Sequence, residues 1–509
     1  MDEEIELKLA VAPNKGATLR RDPLLAGAEG GGTRRLLSVY YDTPDHALRK
    51  LGVGLRVRKV GRRYLQTIKL PSGHGAALQR HHEVETALPD ERFDLEGIPD
   101  AGLRRVFAKH HIAPKLVPIF TTEIRRTLWT LRHAGAVIEL VLDRGEIRAD
   151  GRMLPVSEIE LELKGGKAAG LYRAALALAE RLPVRIEWRT KSARGYALGA
   201  DASPAATRGQ PILLDPALTP TEAFGAIARV CISQLGQNEA AALDGHDIEG
   251  VHQMRVALRR LRSLVGAYRH QMSDACHGGL ARDLRWLQQS LSPARDWDVL
   301  LAYTLPPLRR RLPEEAALFR LEALAEARRA AAYDVVRETV GSPRYTALLL
   351  NTGLLLETGR WVGEGEGAAT LTRPVRRFAD GLLDKRHRRL RKLGRRKDLS
   401  ENELHRLRLF GKKMRYVADF FRSLYPPKAT QAYIAALSEL QERLGSLNDA
   451  VVTDMLLADL PGDEDERLLL GHARTLLRGW QAHAIEMEHK AFAEVWKRFD
   501  RRKPFWRKG

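Results

Sequence analysis

Glu4-Ile5-Glu6-Leu7-Lys8 alternates charged with apolar residues, so as a β-strand it sets Glu4, Glu6 and Lys8 on one face and Ile5 and Leu7 on the other. The same alternation recurs in Leu55-Arg56-Val57-Arg58, Glu83-Val84-Glu85, Glu139-Leu140-Val141-Leu142-Asp143 and Glu158-Ile159-Glu160-Leu161-Glu162-Leu163. The stretch from Ile138 to Leu163 reads as a long hairpin that turns at Asp150-Gly151. Any one of these strands, taken singly, reads as part of an antiparallel sheet with its charged side in water. Their charges are sorted, however: acids gather on some strands (Glu4, Glu6, Glu158, Glu160, Glu162) and bases on others (Arg56, Arg58, Lys69). A sheet facing solvent has no need of such sorting. A closed barrel that holds a triphosphate through its bases and a divalent cation through its carboxylates needs both sets inside. Its apolar outer faces then require covering helices, for which the amphipathic stretch from Ala168 to Leu182 is a candidate.

Strand signals end near residue 200, and beyond about 218 long Ala-, Leu-, Arg- and Glu-rich stretches follow a helical period. Between them, Ala200-Asp201-Ala202-Ser203-Pro204 through Pro211 reads as a linker. The expected organisation is a barrel domain at 1–200, a linker at 201–217 and an all-α domain at 218–509. A chain of 509 residues is too long for one hydrophobic core, and 44% hydrophobic with 29% charged residues suits globular folding. No apolar run nears the roughly 20 residues that span a bilayer, and the start, Met1-Asp2-Glu3-Glu4, is acidic, so a cytoplasmic protein without a membrane partner is expected. Cys231 and Cys276 carry no metal-ligand spacing and fit a reducing compartment. The net charge of +20 calls for an anionic partner. Nucleic acid, acidic lipid and polyphosphate all qualify on charge alone.

The first 200 residues resemble the CYTH, or triphosphate tunnel metalloenzyme, superfamily. The resemblance rests on an ordered series: Glu4 to Lys8, Tyr41-Asp42-Thr43-Pro44, Leu55 to Lys59, Thr67-Ile68-Lys69, Asp143-Arg144-Gly145-Glu146, Ser157 to Lys164 and Lys191-Ser192-Ala193-Arg194-Gly195-Tyr196. It implies an α+β domain built on an eight-stranded antiparallel tunnel that hydrolyses a triphosphate with Mg²⁺ or Mn²⁺. Carried over by position, Lys8, Arg56, Arg58, Lys69, Arg125 and Lys191 would hold phosphate oxygens, and Glu4, Glu6, Asp143, Glu158 and Glu160 would hold metal. Catalysis would centre on Glu4, Glu6 and Lys8. Glu83 and Glu85 would pair with the bases and orient them, while Glu162 shares their face at a depth the sequence leaves open. No adenine pocket is evident, so inorganic triphosphate is the expected substrate, with thiamine triphosphate as the alternative.

The second half contains a repeat. His252-Gln253-Met254-Arg255 with Arg259-Arg260-Leu261-Arg262 matches His405-Arg406-Leu407-Arg408 with Lys412-Lys413-Met414-Arg415 at an offset of 153 residues. The same offset carries Leu287-Gln288 onto Leu440-Gln441 and Asp296 onto Asp449, which predicts two pseudo-symmetric helical halves. At 100° per residue, His252, Arg255, Arg259 and Arg262 fall within an arc of roughly 80°. His405, Arg408, Lys412 and Arg415 repeat that cationic stripe. A lone stripe reads as a solvated helix face, whereas two matched stripes suit a groove for a chain of phosphates. Protonated, His252 and His405 would donate to phosphate oxygens. This half resembles the CHAD family, and the resemblance implies a helical bundle that binds inorganic polyphosphate, with Lys385 to Lys397 and Arg501 to Lys508 as outer basic contacts. Association with polyphosphate granules is a further expectation. Two rival readings are a non-enzymatic polyphosphate receptor and a nucleic-acid binder; only 6% of residues are aromatic and none adorns the stripes, which disfavours nucleic acid. Oligomeric state is not written in the sequence.

Overall fold

The computed structural model describes residues 3–507 except 110, 397–398, 459 and 461–462; side chains are not described at 71–75, 109, 401, 446–450, 483–485 and 487–490. Strands β1 (Glu3–Val11), β2 (Glu29–Asp42), β3 (Gly54–Val60), β4 (Arg63–Gly75), β5 (Leu78–Leu88), β6 (Val117–His133), β7 (Ala136–Ala149) and β8 (Arg152–Gly166) form one antiparallel sheet, ordered β5-β4-β3-β2-β6-β7-β8-β1. β1 also pairs with β5, Glu4 opposite His81, and this closes the eight strands into a barrel. A short strand β9 (Val184–Ile186) pairs with the far end of β1.

The turns follow from sequence. Asp150-Gly151 joins β7 to β8 and Ala134-Gly135 joins β6 to β7, each with both residues at positive φ, as two-residue hairpin loops require. Alternation then separates the faces. Leu7 and Leu9 of β1, Leu140 of β7 and Ile159 and Leu161 of β8 have no solvent exposure, and the Ala169–Ala179 helix packs over these three strands from outside. Charged partners of the same strands turn into the lumen. The Lys191–Gly199 helix lies against β6, β7 and β8, and Gly195 makes the approach possible: a Cβ there would come within 2.4 Å of the Phe120 ring.

The chain divides into two compact units. The first is Met1–Thr207 together with Gly236–Asp247 and Val340–Thr358; the second is Arg208–Leu235, Ile248–Thr339 and Gly359–Gly509. Two helical segments from beyond the expected linker thus fold with the barrel. Within that unit the Pro343–Thr358 helix packs on the Ala169–Ala179 helix and on β9, with Thr346 Oγ1 donating to the Val184 carbonyl at 3.1 Å. Glu239, at the start of the Glu239–Asp244 helix, accepts from Trp188 Nε1 at 2.7 Å and from the Tyr345 hydroxyl. Burial pushes its carboxyl up to about 8, against the lowering effect of those two donors.

The second unit is mostly helical and built on the repeat. The offset of 153 residues takes the Glu249–Ala267 helix onto Glu401–Phe421, and it takes Asp274, where the next helix starts, onto Pro427, where the Pro427–Arg443 helix starts. Ser273 caps the first of these starts, and a Ser400/Glu403 capping box opens Glu401–Phe421. Among the described residues no helix is long and apolar enough to cross a membrane.

Candidate active site

The lumen of the barrel is a cavity of about 930 Å³ whose wall is charged. β1 supplies Glu4, Glu6 and Lys8; β3 supplies Arg56 and Arg58; β4 and β5 supply Lys69 and Glu83; β7 and β8 supply Asp143 and Glu160. Lys191 enters from its helix. Its ammonium lies 2.7 Å from Asp143 and 3.0 Å from Glu160, and also pairs with Glu158. Glu160 further accepts from Lys8 at 2.7 Å and from Arg126 at 2.7 Å. Burial alone would raise the Glu160 carboxyl, but Lys191, Lys8 and Arg126 hold it well below its usual value. The bases respond in kind, and Lys8 and Lys191 are driven up by their carboxylate partners despite complete burial. Glu4 behaves differently: burial and the neighbouring Glu83 and Glu6 carboxyls push it up to about 7, although Lys69 opposes the shift from 2.7 Å.

Arg58 has no carboxylate partner among the described residues. Its Nε donates to Ser38 Oγ at 3.2 Å, and burial beside Arg56 and Arg126 lowers its guanidinium to about 10. Tyr40 stacks on Phe120 at 4.4 Å and faces Arg56 and Arg58, which pull its phenol down against burial. A cation so placed, crowded by like charges in a low-dielectric wall and without a carboxylate partner among the described residues, favours an incoming anion.

Ten of the eleven barrel residues expected to hold phosphate or metal converge on this site. Arg125 does not. It is exposed on the outer face of β6, next to Glu123, which pairs with the exposed Arg35 at 2.6 Å. Its neighbour Arg126 takes the inward position and grips Asp143 through Nε at 2.8 Å and Nη2 at 2.6 Å. Alternation has period two, so an error of one residue exchanges the faces; Thr122 and Arg126 line the cavity at even numbers. Glu83 pairs with Lys69 at 2.7 Å and with Arg56 at 3.4 Å, whereas Glu85 accepts from Thr67 at 3.2 Å. Glu162 sits half-buried beside Lys164. Sequence reasoning also missed His81, two residues before Glu83 on the same lumen face, and Arg194, which binds Glu158 from the Lys191 helix. Missed too was buried Asp42, which accepts the amides of Thr43, Leu48 and Arg49 and the Tyr196 hydroxyl at 2.7 Å, and so ties that helix to the end of β2.

In the helical unit the two stripe helices pack side by side, and Arg259 Nε donates to the Tyr416 hydroxyl at 3.2 Å. Arg255 stands 3.7 Å from Asp296, and burial with Arg259 and Arg295 nearby lowers it to about 10. Arg262 donates to Gln288. Arg408, Lys412 and Arg415 are half-buried and His405 is exposed. His252 departs from expectation: burial, then Arg295, hold its ring neutral down to about 4, so it is not the protonated donor foreseen from its place in the stripe. Lys413 is lowered by burial and by Arg386, Arg389 and Arg262, a sign that cations crowd together here. The side chains of Asn448-Asp449, together with Lys397 and Lys508, lie outside the described residues.

Family models match the chain twice, as a CYTH domain over residues 2–196 and as a CHAD domain over residues 226–458. The chain carries both domains. Its CYTH part is 33% identical over 201 residues to an inorganic triphosphatase of Haemophilus influenzae, a match covering 39% of this chain and 56% of that relative's length. The crystal structure of the CHAD domain from Ricinus communis is similar to 58% of this chain and 96% of its own, at 33% identity and a TM-score of 0.50. A Hippeastrum protein described as having a dominant triphosphatase activity matches 38% of this chain and 95% of its own, at 19% identity and a TM-score of 0.29.

Within the CYTH domain, Asp143, Glu158 and Glu160 form a buried acidic triad whose ligand oxygens lie within 4.8 Å of one another. Such an all-oxygen donor set fits a hard divalent cation.

Proposed function

We propose that the CYTH domain hydrolyses inorganic triphosphate with Mg²⁺ or Mn²⁺ and that the CHAD domain binds inorganic polyphosphate. The observation that carries the first part is the shared lumen: acids and bases from strands far apart in sequence line one cavity of about 930 Å³. Arg56, Arg58, Arg126, Lys8 and Lys69 grip the phosphate oxygens, and the fixed guanidiniums neutralise charge that builds up as the terminal phosphoryl group departs. A water oxygen bonds to the terminal phosphorus, the phosphoanhydride P–O bond breaks, and pyrophosphate leaves. Glu4, Glu6 and the acidic triad would hold a divalent ion, which would supply Lewis-acid polarisation of the phosphate and activation of that water. Glu83 keeps Lys69 and Arg56 aimed at the substrate. The predominantly charged wall favours an unsubstituted triphosphate over one carrying an organic group.

For the CHAD domain, the support is the pair of stripes on adjacent helices. His252, Arg255, Arg259 and Arg262 on one, with His405, Arg408, Lys412 and Arg415 on the other, offer a ladder of donors to successive phosphates.

A phosphate-release screen against triphosphate, thiamine triphosphate, ATP and long polyphosphate, with each metal, tests the whole reading. Turnover fastest with inorganic triphosphate is expected. The double substitution Glu4→Ala, Glu6→Ala should abolish it and spare polyphosphate binding. Cyclic AMP formed from ATP, or polyphosphate bound with no triphosphate turned over, would replace it with a cyclase or a receptor.

A further inference from the structure

His81 begins an inward row on β5 that continues with Glu83 and Glu85, and it stands directly opposite Glu4 in the β1–β5 pairing. Its Nε2 lies 3.4 Å from Glu6 Oε1. Both atoms are shielded from solvent and neither is in a hydrogen bond. Lys8 Nζ is 3.1 Å from the same oxygen, but that approach also falls outside hydrogen-bond alignment. The Glu6 oxygen is thus ion-paired with Lys8 and His81 without an aligned hydrogen-bond donor, and His81 Nε2 has no aligned partner, so both keep the capacity to engage a further partner.

We propose that His81 Nε2 and Glu6 Oε1 are two ligands of one divalent ion, and that this imidazole makes the tunnel select a first-row transition ion such as Mn²⁺ over Mg²⁺. The inference rests on the reading of the lumen as a metal site and adds a ligand and a selectivity to it. Metal bonds to imidazole nitrogen and carboxylate oxygen are about 2.0–2.2 Å, so atoms 3.4 Å apart can share an ion. Mg²⁺ takes oxygen ligands and keeps its waters, whereas nitrogen ligands gain in strength along the first transition row. A tunnel lined only by carboxylates would hold the two ions with little distinction. One imidazole in the ligand set breaks that parity.

The test reads the ion itself. The full chain is loaded with Mn²⁺ and studied by pulsed electron paramagnetic resonance, where a directly bound imidazole gives ¹⁴N modulation of the spin echo. That modulation is expected from the ion that Glu6→Gln releases, it should change when the wild-type chain is grown with ¹⁵N-histidine, and it should vanish in His81→Gln. Competition titration should show the preference for Mn²⁺ over Mg²⁺ falling about tenfold or more in His81→Gln. The isotope experiment needs no variant, so a poorly folding His81→Gln leaves the inference testable. Tunnel-bound Mn²⁺ without nitrogen modulation, or an unchanged metal preference in a folded His81→Gln, overturns the inference and leaves the metal-dependent reading standing. If Glu6→Gln releases no Mn²⁺, both fall.

Discussion

Arg125 and Arg126 differ by one position and by the whole thickness of the barrel wall. Arg126 holds Asp143 and Glu160 in the lumen, while Arg125 faces solvent. Substituting Arg126→Ala is expected to lower kcat/KM for triphosphate by about 100-fold or more, since it removes a fixed donor from the charged wall. Arg125→Ala should stay within about twofold, and phosphate release measured on both variants checks the pair. Lys191 makes a second residue-scale case. Its ammonium serves three buried carboxylates at once, so Lys191→Ala leaves Asp143, Glu158 and Glu160 with only Arg126, Lys8 and Arg194 to balance them. Removing one partner of a buried ion cluster costs about 3–5 kcal/mol. The variant should melt well below the parent without metal and recover more of the difference than the parent gains when Mn²⁺ is added. Thermal unfolding with and without Mn²⁺ reads both effects.

Among the elements, the Lys191–Gly199 helix is where position and chemistry meet. It carries Lys191 and Arg194 to the acids, and it can sit that close only because Gly195 leaves room for Phe120. Gly195→Ala should lift the helix, raise KM and lower kcat while the barrel stays folded; steady-state kinetics beside circular dichroism would show it. The contact of Glu239 with Trp188 and Tyr345 is governed by a proton instead. Glu239 is raised from the usual 4.5 to about 8. Across that window the folded chain keeps a proton that the unfolded chain releases, so its stability declines as pH rises from about 4.5 to about 8. Glu239→Gln keeps an acceptor for Trp188 and Tyr345 without the charge, and should raise the melting temperature above pH 8 while changing little near pH 4.

Alternation made the strands and most of the lumen legible, because charge alternating with leucine at every second residue suits a two-faced strand and little else. It could not decide between two adjacent arginines, since nothing in Arg125-Arg126 marks which one continues the inward row. His81 was readable by the same count of two back from Glu83, but a histidine beside a second histidine carries no sign to attract notice. Asp42 and Tyr196 lie too far apart in sequence for any local period to join them. Nor does an apolar helical face announce what it packs on, so the packing of the Pro343–Thr358 helix on the Ala169–Ala179 helix was not legible in the sequence.

At the scale of the molecule, a net charge of +20 is maintained in spite of the lumen's acids. Polyphosphate affinity should therefore be governed by release of counterions, and the six arginine and lysine positions of the stripes suggest a loss of about a thousandfold between about 50 and 200 mM salt. The neutrality of His252 adds a sign: its titration near 4 lies below the working range, so His252→Gln should leave the pH dependence of affinity between about pH 6 and 8 unchanged. Fluorescence titration with labelled polyphosphate, challenged by RNA and DNA at matched salt, measures each of these.

β1 is stitched to β5, β8 and β9, partners that begin 75, 149 and 181 residues after Glu3. Hairpins such as β6 to β8 can zip up locally, yet the seam must wait for distant chain to be gathered, and long-range closure is slow. During refolding, amides of Leu7 and Leu9 should be the last in the barrel to resist exchange with heavy water. Until then the strand that bears Glu4, Glu6 and Lys8 hangs loose, and the lumen lacks one side of its charged wall.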